Sequence, residues 1–447
     1  MKLFKCTDLR AALSLCALVA KLNTKNLLLS LSMQKHWLTR SVLIISLVSL
    51  FNDASSELLY PILPIYLGTI GFGALWIGII EGIAEAAAGL SKGWFGKWSD
   101  MRGERLPFIR FGYLLSSLAK PLIVLFPNVF WALFMRTGDR LGKGVRTAAR
   151  DALLSHESDP KHRGKVFGFH RAMDTVGAFI GPSIALWYLF THRGEPLTDL
   201  FYIALIPGIL TLVVLLFLKD HVTKGIAPGK LPSWKHTFSY WKESNTSYRK
   251  VVGGFLLFAL FNSSDLFLLM ALKEIHSGME NCFFGICFNA NEVTILYYIL
   301  FNFVYALLAY PAGYFSDRFS PKTIFIIGLI FFVTTYAGFA YMMFLDSAKP
   351  AIALPVILMI IYGMYAALSD GISRAWISVL VPKEEKASAL GFFAGAGSIA
   401  TLFASVLAGL VWSFIHPSAV FAITACLTFV VIFYLGVFTK KPALNPD

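Results

Sequence analysis

The sequence predicts an all-α, polytopic membrane protein of twelve transmembrane helices arranged as two pseudo-symmetric six-helix bundles. Three observations carry this. Of the 447 residues, 57% are hydrophobic and only 15% charged, where a soluble domain carries nearer a quarter, and the mean hydropathy is +0.66. Apolar runs of the roughly 20 residues that cross a bilayer recur from about residue 41 to residue 438. The two halves also echo each other: Phe51-Asn52-Asp53 recurs as Phe261-Asn262-Ser263, and Gly96-Lys97-Trp98-Ser99-Asp100 as Gly313-Tyr314-Phe315-Ser316-Asp317, at separations of 210 and 217 residues. Echoes near half the chain length mark transporters built from six-helix repeats.

The expected spans are 41–66, 73–97, 107–126, 129–153, 163–188, 198–218, 250–271, 292–314, 323–344, 351–378, 387–412 and 418–438. They are helices because backbone amides in hydrocarbon must be satisfied within the segment, and the ten-residue alternating strands of a barrel are absent. Residues 1–40 form an N-terminal cytoplasmic extension, 41–219 the first bundle, 220–249 a central cytoplasmic loop, 250–438 the second bundle and 439–447 a cytoplasmic tail. Residues 1–32 resemble a signal peptide in charge and apolar run, Met33 offers an alternative start, and no function is expected of them.

The net charge of +13 does not point to nucleic acid, because of where it sits. Lys2, Lys5, Arg10, Lys21, Lys25, Lys35 and Arg40 precede the first span, Lys224 to Lys250 crowd the central connection, and Lys440 and Lys441 end the chain. Only Arg193, Lys273 and Lys349 fall on the other side. This positive-inside asymmetry places both termini in the cytoplasm of a multi-pass inner-membrane protein. Cys282 and Cys287 lie in an outward connection, where a disulfide, two free thiols or a metal pair are all open.

The densest charge lies in the fourth span. Arg136, Asp139, Arg140, Lys143, Arg146 and Arg150 fall within an arc of roughly 140° at about 100° per residue. Charge at mid-membrane is tolerated only against partners or a wet cavity, so Arg136, Asp139, Arg140 and Lys143, with Asn52 and Asp265, are expected to line a central substrate cavity. Asp53 and Glu57 on the first span, Glu81 and Glu85 on the second, and His170, Arg171 and Asp174 on the fifth supply the opposite charge. A carboxylate whose partner changes between two states can carry a proton, which makes Asp53, Glu57, Glu85, Asp174 and His170 the coupling candidates. Static ion pairs that fix the helices are the competing account. Asp370 and Arg374 are the remaining intramembrane charges of the second half.

Over residues 40–440 these features resemble the major facilitator superfamily. Gly96, Asp100, Arg102, Gly103 and Arg105 follow its signature after the second helix, and Gly313, Asp317 and Arg318 repeat it. The resemblance implies a gating loop that stabilises the outward-open state. Arg136-Thr137-Gly138-Asp139-Arg140 is similar to the family's fourth-helix motif, with Asp139 and Arg140 replacing its glutamine and glycine. Gly168, Gly177, Gly181 and Pro182 resemble the fifth-helix antiporter motif, with Ala185 and Leu186 in place of its last glycines. The block around DRLGKGVRTAARDALLS is similar to a bacterial and archaeal branch with mostly unassigned substrates.

The implied function is secondary active transport of a small organic solute by alternating access, through proton-coupled efflux. The alternative is a proton-coupled importer of an anionic metabolite or carboxylate siderophore, for which Arg136, Arg140 and Lys143 are natural ligands. The expected partners are that solute, protons and the bilayer, with the chain a monomer. No enzyme is expected: the nine histidines show no metal spacing, and GDRLGK lacks the flanks of a phosphate loop. No catalytic residue, metal or cofactor is therefore assigned.

Overall fold

A computed structural model of the chain describes residues 38–157, 163–219, 234–278, 281–283, 286–345, 353–382 and 385–439. The N-terminal extension up to residue 37, residues 220–233 and the tail from residue 440 lie outside the described residues, and with them most of the charge asymmetry.

Thr39 caps α1 (Arg40–Leu59) by accepting from the Val42 amide at 3.2 Å. Pro61 has no N–H to give, and α2 (Ile62–Thr69) completes the first crossing beyond it. α3 (Ala74–Arg102) ends at Gly103, whose φ of 70° is the left-handed turn that favours glycine. α4 (Leu106–Leu122) and α5 (Val129–His156) follow, with Asn128 capping α5. α6 (Arg163–Thr191), α7 (Thr198–Ile203) and α8 (Leu205–Leu215) complete the first half.

In the second half, α9 (Trp234–Glu243) precedes α10 (Thr246–Phe261), and α11 (Leu266–Ile275) completes that crossing after a break at 262–265. A hairpin of β1 (Asn281–Phe283) and β2 (Ile286–Phe288) pairs Cys282 with Cys287 in a disulfide. α12 (Ala290–Phe319), α13 (Pro321–Phe344), α14 (Ala353–Leu380), α15 (Lys386–Phe414) and α16 (Pro417–Phe438) close the chain.

Among the described residues, eleven helical spans are long and apolar enough to cross a membrane. The twelfth crossing is α5, of full length at 28 residues but outside that set because of its own charge. Twelve crossings return the chain to one face, here called the terminal face. Exposed Phe134, Leu216, Tyr310 and Phe429 clothe the outside, as lipid contact allows.

Two expectations need correction. The segment 220–249 is not all loop: Tyr240 donates to Glu385 at 2.9 Å and Trp241 stacks on Phe392 at 5.3 Å, so α9 docks on α15. Burial, reinforced by the bond to Glu385, pushes the Tyr240 phenol up to about 12, so this donor stays protonated at physiological pH. The signature residues Gly96, Asp100 and Arg102 lie in the last turns of α3, and Gly313 to Arg318 lie inside α12. Both helices outrun a 30 Å hydrocarbon core.

The halves meet where α3 crosses α15 and α6 crosses α12. A side chain at Gly78, Gly82 or Gly89 would strike α15, at Ser405, Leu402 and Ser398 respectively, whereas Gly93 has nothing within 4 Å. Gly168 on α6 and Gly313 on α12 are equally free of neighbours. The bundle halves are therefore closed on the far face and splayed on the terminal face.

Candidate functional site

The fourth crossing divides its charge between two environments. Arg136, Asp139 and Arg140 are at most 7% exposed and face α3 and α4. Arg136 holds Glu81 with two bonds of 3.0 Å and reaches Asp139 at 3.1 Å. Arg140 lies 3.3 Å from Glu81 and 3.1 Å from Glu85. Asp139 accepts from Ser116 and lies 4.0 Å from Lys120, which donates to Ser55 at 3.3 Å. Three cations thus meet three carboxylates, as a buried charge requires.

The expected cavity residues divide between buried and vestibule-lining positions. Arg136, Asp139 and Arg140 line neither of the two vestibules described below, because α3 and α4 cover them. Asn52 is 2% exposed, donates to Asp53 at 3.1 Å, and lines neither vestibule. Lys120 and Ser116 escaped the sequence reading, although a lone lysine within the apolar run 107–126 was a signal for a buried partner.

One turn further along α5, Lys143, Arg146, Thr147 and Arg150 turn to a vestibule of about 760 Å³ between the halves. Asp53 and Glu57 of α1, Lys92 of α3, and His170, Arg171 and Asp174 of α6 share its wall. Glu57 accepts from Tyr298 of the second half at 2.5 Å. His170 lies 3.8 Å from Asp174, and neither ring nitrogen has a hydrogen bond. Arg150 is occupied by Asp151 and Ser49. Arg171 donates to Tyr305 at 2.7 Å and lies 3.7 Å from Asp370, which in turn holds Arg374 at 3.3 Å. By contrast, Lys92, Lys143 and Arg146 form no ion pair among the described residues. Arg146, 4% exposed, lies over the Tyr113 ring at 4.5 Å and keeps one buried Nη1 without a partner.

A second vestibule of about 420 Å³ adjoins the first, since Asp370 and Arg374 line both. Its wall is aromatic (Phe258, Phe301, Tyr362 and Tyr365 among others), and Asp265 lies in it. Tyr362 donates to Asp265 at 2.5 Å. Of the six expected cavity residues, Lys143 and Asp265 line a vestibule.

At the terminal face, Asp100 pairs with Arg105 of its own turn, Arg105 donates to Ser99, and Arg102 lies over the Trp98 ring at 5.3 Å. Arg318 lies over the Phe319 ring at 5.9 Å; the Asp317 side chain is outside the description. On the far face, Arg193 of the first half holds Glu292 of the second with two 2.9 Å bonds and donates to the Cys287 carbonyl at 2.7 Å. The fifth-helix glycines are spacers: side chains at Gly177 and Gly181 would strike the α1 backbone at Leu50 and Ala54, Gly168 faces open space, and Pro182 sits within α6. Among the described residues no group of three or more His, Cys, Asp or Glu could hold a metal ion.

Residues 45–291 and 286–446 match the family model of the Major Facilitator Superfamily. The uncharacterized MFS-type transporter MJ1317 of Methanocaldococcus jannaschii is 32% identical over 388 residues, 86% of this chain and 91% of that one. A multi-drug resistance efflux pump PmrA homolog of Lactococcus lactis is 22% identical over 65% of this chain and 70% of its own. The crystal structure of the nucleoside transporter NupG superposes with a TM-score of 0.66 at 16% identity, over 90% of this chain and all of that one. Two six-helix halves about a shared vestibule, matched along nearly the whole sequence, make this chain a transporter of the Major Facilitator Superfamily and not an enzyme.

Proposed function

We propose that the protein is a monomeric, proton-coupled transporter that takes up a small organic anion by alternating access, with its termini in the cytoplasm of the inner membrane. One observation carries this: Lys92, Lys143 and Arg146 face the vestibule with no carboxylate paired to them, as an incoming anion requires.

Lys143 also shares the vestibule wall with Asp53 and Glu57. An anion bound at Lys143 cancels that cation and places negative charge beside the two acids. Their proton affinity then rises, and by linkage a proton on either acid strengthens anion binding. Solute and proton load together, so an inward proton gradient drives uptake. Efflux by exchange, suggested by the name of the PmrA relatives and the fifth-helix motif, needs solute and proton to compete. The unpaired lysines and arginine favour co-loading, and Gly177 and Gly181 have a packing role that needs no exchange.

Reconstitution in liposomes with an imposed pH gradient tests this. Organic anions should accumulate on the side to which protons run, and a protonophore should abolish accumulation. Solute leaving as protons enter establishes the exchange reading instead, and transport indifferent to the gradient removes coupling altogether.

A further inference from the structure

An anion at Lys143 occupies only one of the two adjoining vestibules. The second has the opposite character. Asp265 has no ion-pair partner among the described residues, and its one hydrogen bond is from Tyr362. A carboxylate within a membrane crossing calls for a counter-charge. The rings around it are tightly grouped: Tyr362 lies 5.4 Å from Tyr365 and 5.2 Å from Phe301, and Phe258 lies 6.2 Å from Tyr365. Ring faces at such spacing attract an ammonium group. Asn262, on the same wall, keeps a buried Oδ1 with no donor. Carboxylate, amide oxygen and ring faces are all acceptors of positive charge. The seam between the vestibules, Asp370 with Arg374, is already paired and favours neither pole.

We propose that this aromatic box takes an ammonium group, so that the solute is a small zwitterion. Its anionic end lies among Lys92, Lys143 and Arg146, and its ammonium end lies at Asp265. This rests on the anion-uptake reading above and adds the second pole. The division of labour follows from the two vestibules: Lys92, Lys143 and Arg146 form no ion pair in the first, and Asp265 forms none in the second, among the described residues.

Calorimetric binding to the detergent-purified full-length protein decides it, with three matched probes: 4-(aminomethyl)benzoate, 4-methylbenzoate, which lacks the ammonium, and benzylamine, which lacks the carboxylate. The zwitterion should bind at least about tenfold tighter than either truncated probe. Asp265→Asn should bring its affinity to within about twofold of 4-methylbenzoate, and Arg146→Gln should weaken both carboxylates by about tenfold. Should Asp265→Asn fail to fold, the three-probe comparison on the native chain stands by itself. Equal binding of 4-methylbenzoate and the zwitterion overturns the proposal and leaves anion uptake intact. Benzylamine binding tightest overturns both readings. Saturable binding of none of the three at millimolar concentration overturns the zwitterion assignment.

Discussion

Helices α5 and α14 are corresponding crossings of the two halves, and both run for 28 residues. Helix α5 buries Arg136, Asp139, Arg140 and Arg146, whereas α14 buries Met359, Tyr362, Tyr365 and Trp376. The first half is thus held by matched charge, and the second by aromatic shape. In a bilayer, burying apolar surface does not by itself distinguish helix from lipid. The two halves answer that with different specificity devices. Ion pairs fix α3, α4 and α5 against one another, because any other arrangement strands a charge. The aromatic half packs ring against ring, and its interior holds the second vestibule.

The contrast can be broken at its strongest point. Glu81→Ala removes the carboxylate shared by Arg136 and Arg140 and should destabilise the protein by about 3–5 kcal/mol, since it leaves buried charge uncompensated. Thermal unfolding in detergent reads this, and an unchanged midpoint would reject the ion-pair lock. A weaker test compares glycines of the two halves. Gly181→Val drives a side chain into the α1 backbone and should cost about 1–3 kcal/mol. Gly397→Val, where nothing lies within 4 Å, should leave stability alone and show instead in solute affinity, because Gly397 lines the aromatic vestibule.

In the second half itself, Tyr362→Phe deletes the donor to Asp265 while keeping the ring. It should cost about 1.5 kcal/mol, clearly less than Glu81→Ala in the same assay. The mildest change in stability is expected at the terminal face. Asp100 is 51% exposed and pairs within its own turn, so Asp100→Asn should shift stability by less than about 1 kcal/mol. Its effect belongs to transport rate, measured in liposomes, and a rate identical to the parent would deny the turn a gating role.

The helices were legible because span length and backbone satisfaction in hydrocarbon leave little choice. Ten of the twelve crossings lie within about four residues of their expected ends, and the second and eighth run past theirs, to Arg102 and Phe319. The first, sixth and seventh are each two helices joined at a break. The duplication was legible too, from Asn52 and Asn262, yet it hid a difference: Asn52 sits within α1, whereas Asn262 ends α10 and opens the break before Asp265. The hairpin with its disulfide was one of three open possibilities and needed the fold to decide.

Local rules acting along one chain were enough to establish twelve crossings, a helical fourth segment despite its charge, and the need for every ion in it to find a partner or water. Which of the two each ion finds depends on residues far away in sequence. Glu81, Ser116 and Lys120 close over Arg136, Asp139 and Arg140, while Lys143 and Arg146, one turn on, line the vestibule. A helix of 3.6 residues per turn carries charge around its circumference, and only the neighbours packed against it separate the buried side from the wet one.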